Sequence, residues 1–169
     1  SHNQIKVVSE FAIILPALEV LDLFSNRITS LGMLLLCTPS LTHLLLGRNM
    51  ITETPEGVEG LSGLHTLDIS HNALSKLSSG LGLIDSLEEL NLHENRISEI
   101  WPESFRGLAK IDLSNNSIGY LPPELGKIKS LVELKVLGNT FKTPRLQVVE
   151  KGTEALLEWL RLRLPDEEV

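Results

Sequence analysis

Histidines close to carboxylates are the side chains of this chain best suited to bind a metal ion. Imidazole nitrogens and carboxylate oxygens are common ligands of zinc and other transition metals. A helix-borne zinc site, however, presents a spacing such as H-x-x-x-H or H-E-x-x-H, and the sequence contains neither. Ligands drawn from separate strands would meet only by chance, so the sequence predicts no metal site and no cofactor. The side chains concerned are His43, His65, His71, His93, Asp68, Glu89 and Glu94.

Motifs for catalysis are missing from the sequence as well. It contains no G-x-S-x-G nucleophile elbow and no glycine-rich phosphate-binding loop. Serines, histidines and aspartates do occur together, but the recurring pattern of this chain places them on an open surface. Oxyanion stabilisation requires an enclosed, dry pocket. We therefore predict that the chain is not an enzyme and has no catalytic residues.

A nine-residue pattern, L-x-x-L-x-L-x-x-N with isoleucine or valine at some leucine positions, recurs six times. The closing asparagines are 23 residues apart, except for one interval of 21 residues. A period of this length with this pattern is typical of leucine-rich repeats, and the chain resembles that superfamily. The copies begin at Leu18, Leu41, Leu64, Leu87, Leu108 and Leu131 and end at Asn26, Asn49, Asn72, Asn95, Asn116 and Asn139.

Each copy predicts a short β-strand, because apolar and polar residues alternate at its centre. In the third copy, Leu67 and Ile69 should enter the core. Thr66, Asp68 and Ser70 should point outward. Successive strands would pair in parallel about 4.8 Å apart. The predicted fold is an α/β leucine-rich repeat solenoid with a curved parallel β-sheet on its concave face, short helical, 3-10 or extended segments on its convex face, and a C-terminal helical cap.

The asparagine that closes each copy predicts a buried row of side-chain amides. An asparagine amide both donates to and accepts from backbone groups, and the turn after each strand lacks a sheet partner of its own. Stacked copies should therefore form an asparagine ladder.

The fourth repeat is two residues shorter than the others. Its convex segment should therefore be wound more tightly or differently. Trp101 lies in this segment, and two interpretations of it stay open. It either packs against the next repeat near Tyr120 or forms an exposed aromatic contact for a partner.

The repeat pattern divides the chain into four segments. Residues 1–17 are predicted to be a partial N-terminal repeat without its strand, since Asn3 lies 23 residues before Asn26. Residues 18–140 hold repeats one to six, residues 141–165 a C-terminal cap, and residues 166–169 an acidic tail. We expect the chain to begin inside a longer array, with an uncapped end prone to self-association. Its core positions at this end are Ile5, Val8, Ala12 and Leu15.

A helix is predicted in the C-terminal cap from Glu154 to Leu164, with Thr153 as its N-cap residue. Leucines recur on one face of this segment, and Trp159 is placed beside them in the core. Pro165 should end the helix.

Composition and charge restrict the partners and the compartment. The formal net charge of −7 opposes binding to phosphate backbones, so nucleic acid is not an expected partner. No apolar run approaches the roughly 18 residues needed to span a bilayer, and no membrane contact is predicted. The single cysteine, Cys37, cannot build a disulfide-bonded cap. This indicates a reducing compartment, the cytoplasm or alternatively the nucleus.

The repeat form L-x-x-L-x-L-x-x-N-x-I/L-x-x-L-P resembles that of intracellular Ras-group leucine-rich repeat proteins. Leu121-Pro122 fits this form, whereas several copies lack the proline. The C-terminal segment is similar to that of one such protein, in which G-N-x-F-x-x-P-R leads into K-G-T and a final helix. The resemblance implies protein–protein binding in signalling, with small GTPases or phosphatases as partners. The matching C-terminal residues are Gly138, Asn139, Phe141, Pro144, Arg145, Lys151, Gly152 and Thr153.

The outward strand positions and their flanks predict the binding surface, because they form the concave face. They hold eight acidic residues and three basic ones, so a basic protein surface is the natural complement. Aspartate or asparagine at the strand centre also serves solubility alone, and this alternative stays open. The predicted partner-binding residues are Asp22, Phe24, His43, Leu45, Arg48, Asp68, Glu89, Asn91, His93, Lys110, Asp112 and Lys135.

The function predicted from these features is protein–protein interaction through the concave face of a repeat scaffold. Two alternatives stay open. The chain would be a targeting or scaffolding segment of a larger signalling enzyme, such as a GTPase, kinase or ubiquitin ligase. Otherwise it would be a structural element that assembles with itself.

Overall fold

The computed structural model describes residues 4–6 and 14–165 of the chain. The predictions for Asn3, Val8, Ala12 and the tail at 166–169 fall outside these residues. Six strands form one parallel sheet in which each strand pairs with the strand of the next repeat, and this confirms the predicted solenoid. The strands are β1 Val20–Asp22, β2 His43–Leu45, β3 Thr66–Asp68, β4 Glu89–Asn91, β5 Lys110–Asp112 and β6 Glu133–Lys135.

Short 3-10 helices carry the chain along the side opposite the sheet. Pro102 and Pro123 are the first residues of two of these helices. The fixed φ and the missing N–H of proline are tolerated at this position. Each helix turns one or two apolar side chains into the core, which replaces the long crossover helices of other parallel sheets. They span Leu34–Cys37, Val58–Gly60, Ser79–Leu83, Pro102–Phe105 and Pro123–Lys127.

The core is a stack of leucine and isoleucine side chains that repeat from strand to strand. In the third repeat Leu67 and Ile69 are fully buried, while Thr66 and Asp68 are only half-buried, as predicted. Complete burial of one such aliphatic side chain contributes about 1.5–3 kcal/mol. Every repeat buries side chains at the same positions, and these pack against both neighbouring repeats. The free energy gained by this burial therefore depends on the neighbours as well as on the repeat itself.

Ser70 lies in the predicted outward column beside Gly47, but it is buried. Only 3% of its surface is exposed. Its Oγ atom borders the space above Gly47 of the preceding repeat, and the ring of Phe24 borders the same space. A side chain at position 47 would collide with that ring, so the glycine lets Phe24 approach the sheet next to Ser70.

The asparagine ladder is present and every amide is engaged. The Nδ2 atom of Asn72 donates to the carbonyl oxygens of Ile69 and Ser70 in its own repeat, at 3.1 and 2.9 Å. It also donates to the carbonyl oxygen of Leu46 in the preceding repeat at 3.0 Å. Its Oδ1 atom accepts from the backbone amide of Ile51 at 2.9 Å. One half-buried side chain therefore satisfies backbone groups of two repeats.

This arrangement recurs along the row from Asn49 to Asn139. It also extends toward the N-terminus, where Oδ1 of Asn26 accepts from the amide of Ile5 at 3.3 Å. The carbonyl of Ile5 in turn accepts from Arg27 at 2.9 Å. Ile5 therefore occupies the column position that its spacing from Asn26 predicts, although it is 37% exposed.

A left-handed backbone precedes each asparagine of the row, which the sequence analysis did not predict. Five of these residues are not glycine and have φ between 51° and 59°. Left-handed φ is rare for such side chains, and asparagine tolerates it best after glycine. Only the last two repeats have asparagine or glycine at this position, the residue types that indicate a left-handed backbone. The residues are Ser25, Arg48, His71, Glu94, Asn115 and Gly138.

The shortened fourth repeat crosses the convex side in a 3-10 helix, as the other repeats do, and it packs closely against the helix before it. Its 3-10 helix, Pro102–Phe105, lies so close to the preceding one that a Cβ atom on Gly82 would overlap the carbonyl oxygen of Glu103. Ser104 is 1% exposed, and its Oγ is the buried side-chain polar atom without a hydrogen-bond partner among the described residues. The tight crossing therefore leaves one hydroxyl desolvated and unpaired.

Two helices close the C-terminal end, α1 Leu146–Val149 and α2 Thr153–Arg161. The prediction of Thr153 as the N-cap residue of α2 was wrong, because Gly152 holds that position with φ of 98°. The Thr153 hydroxyl instead accepts a hydrogen bond from the Leu134 amide of β6 at 2.9 Å. The side chain that would have capped the helix thus satisfies a donor at the end of the sheet.

Helix α2 covers the last repeat with Leu156, Leu157 and Leu160, which are all buried. Its close approach depends on Gly126, where a Cβ atom would lie 3.1 Å from the Leu157 carbonyl oxygen. Trp159 packs partly against this core, and the Arg163 guanidinium stacks 3.4 Å from its ring centroid. No helix in residues 4–6 and 14–165 has the length and apolar character that a membrane crossing requires.

Replacing Asn72 with alanine tests the ladder. The change orphans buried donors and acceptors of two repeats, so the free energy of unfolding should fall by about 1–3 kcal/mol. Urea denaturation followed by circular dichroism measures the effect. Ser75→Ala, at an exposed position three residues later, should leave the midpoint unchanged. An unchanged midpoint for Asn72→Ala would contradict the role of the amide.

Replacing Ser104 with alanine should stabilise the protein by about 1 kcal/mol, because it removes a buried hydroxyl without a partner. Thermal unfolding of the two proteins side by side measures the difference. Ser86→Ala is the matched control, since the Ser86 hydroxyl donates to the Leu64 carbonyl at 2.7 Å and its loss should destabilise. Equal destabilisation by both changes would show that the Ser104 hydroxyl is paired.

Candidate partner-binding face

Strand pairing aligns the predicted binding residues in columns on one face of the sheet. The register sets Glu89 beside Lys110 and Asp112 beside Lys135. Seven of the twelve predicted residues line one shallow depression of about 240 Å³. They are Leu45, Asp68, Glu89, Asn91, Lys110, Asp112 and Lys135.

The other five predicted residues lie outside this depression. Asp22 and His43 belong to β1 and β2, at the N-terminal end of the sheet. The Arg48 guanidinium lies 5.8 Å from the centroid of the Phe24 ring, within the range of a cation–π contact. His93 follows β4 and belongs to a separate cluster. Only part of the twelve-residue set therefore forms one continuous surface.

Ion pairs engage both lysines in the C-terminal half of the face. Lys110 Nζ lies 2.6 Å from Glu89, and Lys135 Nζ lies 3.0 Å from Glu133 and 3.9 Å from Asp112. The hydrogen bond to Glu89 and the charge of that carboxylate raise the pKa of Lys110 above its ordinary value. Glu133 raises the pKa of Lys135 in the same two ways. Both lysines therefore stay charged and paired at neutral pH.

Two central aspartates lie in the N-terminal half of the face. Asp22 and Asp68 stand on either side of Leu45 in the strand register. Within the described part of the chain, neither carboxylate forms an ion pair. Leu45 therefore separates two carboxylates that the lysines of the face do not engage.

The central aspartates also have a structural role that the sequence analysis missed. The Oδ1 atom of Asp68 accepts a hydrogen bond from the Ser70 amide at 2.8 Å, which ends the strand with a local turn. Aspartate or asparagine at this position in four of the six copies was the available signal. The other pairs of this kind are Asp22 with Phe24, Asn91 with His93 and Asp112 with Ser114.

Three of the residues considered for metal binding meet at the edge of the face, contrary to the expectation that separate strands would keep them apart. His71, His93 and Glu94 each offer a ligand atom within 4.8 Å of the others. The repeat register brings them together, because residues 23 positions apart are lateral neighbours. His43 and His65 do not join them and instead contact Thr42 and Gly63.

An exposed aromatic groove lies in the return segments after β4 and β5. Trp101 and Tyr120 are 57% and 64% exposed, and with Pro102 and Pro122 they line a groove of about 460 Å³. Trp101 therefore lies near Tyr120, as one interpretation held, but it is not buried by the next repeat.

Comparison with known proteins agrees with the fold. Residues 85–141 match the leucine rich repeat family. Leucine-rich repeat-containing protein 66 of Homo sapiens is 37% identical over 125 residues, covering 63% of this chain and 14% of that protein. Lumican of Oryctolagus cuniculus is 42% identical over 94 residues, covering 53% of this chain and 46% of that protein.

Among solved structures, an LRR protein of Leptospira interrogans superposes with a TM-score of 0.71 at 31% identity, covering 75% of this chain and 33% of that one. An internalin of Listeria monocytogenes superposes with a TM-score of 0.65 at 25% identity, covering 74% and 36%. The chain spans less than half the length of each of these four proteins. The recurring nine-residue pattern, the stacked parallel strands and these matches show that the chain has the leucine-rich repeat solenoid fold, with the family match itself over residues 85–141.

Proposed function

We propose that this chain binds a protein partner through the concave face of its sheet, at the strip formed by Asp22, Leu45 and Asp68. Leucine-rich repeat proteins generally mediate protein–protein interactions, and no enzymatic feature emerges from the relatives. The observation that carries the proposal is the pair of unpaired carboxylates on either side of Leu45.

A partner with a basic surface and an apolar contact fits this strip. Lysine or arginine of the partner would pair with the two carboxylates, while an aliphatic or aromatic side chain covers Leu45. The paired half of the face is a poorer target, because a partner there would have to break existing ion pairs. Arg48, stacked on Phe24, limits the strip at its edge and would repel a misplaced cation.

The finer identity of the protein is part of the same proposal. The repeat form supports membership of the intracellular Ras-group proteins, and the C-terminal segment is similar to that of leucine-rich repeat-containing protein 40. Small GTPases and phosphatases are then the partner classes to test first. Cys37 is the only cysteine, which supports a reducing compartment, the cytoplasm or the nucleus, and a role in signalling.

Two other functions are compatible with a binding face. The chain would serve as the targeting or scaffolding segment of a larger signalling enzyme, or it would assemble with itself through its N-terminal end. Both use the repeat as a surface for protein contacts. Binding by the isolated chain to a separate protein distinguishes the main proposal from self-assembly, and catalytic motifs in the sequence upstream of residue 1 would favour the segment of a larger enzyme.

Neutralising Asp22 and Asp68 tests the proposed strip. Asp22→Asn with Asp68→Asn removes both charges and keeps the Oδ1 acceptors for the Phe24 and Ser70 amides. We expect about tenfold weaker binding of the partner with little loss of stability, since two partly exposed ion pairs are removed. Quantitative mass spectrometry of proteins captured by each variant measures the change.

Asp85→Asn is the matched control for that experiment. It removes one charge at an exposed position between the 3-10 helix Ser79–Leu83 and β4, away from the strip. The control should capture the same proteins as the original chain. Equal capture by the double variant would move the partner site away from Asp22 and Asp68.

The aromatic groove is a second candidate interface, favoured by the exposure of Trp101 and Tyr120. Trp101→Ala should lower the capture of any partner bound there by at least about tenfold, because exposed tryptophans are frequent hot spots. Leu83→Ala, at another exposed apolar residue, is the control. If both variants capture the same proteins equally well, the groove is not an interface.

A further inference from the structure

The cluster of His71, His93 and Glu94 has the composition of a transition-metal site. Nδ1 of His71 lies 2.7 Å from Oε2 of Glu94, and Nε2 of His93 lies 3.3 Å from Oε1 of the same carboxylate. The two imidazole centroids are 5.1 Å apart and the rings meet edge to face at 79°. Two imidazoles thus converge on one carboxylate.

The backbone holds these side chains together without help from a metal. The His71 amide donates to the His93 carbonyl at 2.8 Å, and the Asn72 amide donates to the Glu94 carbonyl at 3.2 Å. His71 and Glu94 both occupy the left-handed position before the asparagine, with φ of 51° in each. The ladder and the sheet therefore fix the three Cα positions, and only side-chain rotation remains to be ordered.

A chain of hydrogen bonds orients the ring of His93. Its Nδ1 atom lies 2.8 Å from the Ser114 hydroxyl, and that hydroxyl donates to Oδ1 of Asp112. In the tautomer that leaves Nε2 free to bind a metal, Nδ1 of His93 carries the proton and donates to the Ser114 oxygen. The opposite nitrogen, Nε2, faces Glu94. A histidine ligand held by a hydroxyl or carboxylate through its other nitrogen is the usual arrangement in metal sites.

We propose that His71 Nδ1, His93 Nε2 and the Glu94 carboxylate bind a zinc ion or a similar transition-metal ion. Ligands about 2.0–2.1 Å from tetrahedral zinc are roughly 3.3 Å apart, which is the separation of His93 Nε2 and Glu94 Oε1. His71 reaches the same geometry by rotation, because all three ligand atoms already lie within 4.8 Å. The ion replaces the proton shared by His71 and Glu94.

The ligand set favours zinc over calcium or magnesium, since two of its three atoms are imidazole nitrogens. The side chains are between 28% and 51% exposed, so the remaining coordination position faces solvent at the edge of the concave face. Water fills that position in the isolated protein, and a side chain of a bound partner is able to replace it.

Titration of the metal-free chain with zinc ions tests the proposal. Competition against a chromophoric zinc indicator should show one ion per chain, and cobalt ions should give the visible absorption of a tetrahedral nitrogen and oxygen site. His71→Asn and Glu94→Asn should each weaken zinc binding by at least about tenfold. Asparagine is chosen because Asn115 occupies the equivalent left-handed position in the next repeat.

His93→Gln provides the same test at a position with ordinary backbone geometry, should either asparagine variant fail to fold. Circular dichroism of each metal-free variant verifies the fold. His43→Gln and His65→Gln remove histidines outside the cluster and should bind zinc as the original chain does. Ser114→Ala keeps all ligands but releases the His93 ring, and about tenfold weaker binding is expected.

No saturable binding by the original chain would overturn the proposal. Equal zinc affinity of a folded His93→Gln protein would also overturn it, as would a loss confined to the His43 or His65 variants. Unchanged affinity of Ser114→Ala, with loss in His93→Gln, would retain the metal site and remove only the orienting role of Ser114. These outcomes do not depend on whether a protein partner binds Asp22 and Asp68.

Discussion

The asparagine amide that closes each repeat, buried at Asn95 and Asn116 and half-buried elsewhere in the row, links each repeat to the one before it and holds the solenoid together. Each repeat turns inward where its strand ends, and the asparagine side chain pairs with backbone groups of that turn and of the repeat before it. One amide satisfies groups of two repeats, as Asn72 does with Leu46, Ile51 and Ile69. The row therefore sets the stacking distance and the lateral register together, and the strands follow from both.

The register of the parallel strands determines which polar side chains lie next to one another. Residues 23 positions apart, or 21 across the short repeat, lie side by side on neighbouring strands. Glu89 pairs with Lys110 for this reason, and His71 meets Glu94 for the same reason. The candidate partner strip and the candidate metal cluster are thus two products of one stacking geometry, and they differ only in which columns they use.

Asp112 shows how closely structure and function are linked on this face. Its carboxylate accepts from the Ser114 amide and hydroxyl, lies 3.9 Å from Lys135, and stands 4.0 Å from Nδ1 of His93. A change at Asp112 would disturb the strand end, the ion pairs and the orientation of His93 at once. Asp22 and Asp68 have fewer contacts. Each accepts a hydrogen bond in the turn after its strand, and neither forms an ion pair within the described residues.

The repeat, the strand columns, the asparagine row and the helical cap could all be predicted from the amino-acid pattern, because each depends on side-chain type at a constant spacing. Contacts for which several neighbours compete became known only from the folded chain. It placed Ser70 beside Gly47, and it assigned the Thr153 hydroxyl to Leu134 rather than to its own helix. It also paired the lysines and gathered His71, His93 and Glu94, because those contacts are distances across strands, which a linear pattern does not contain.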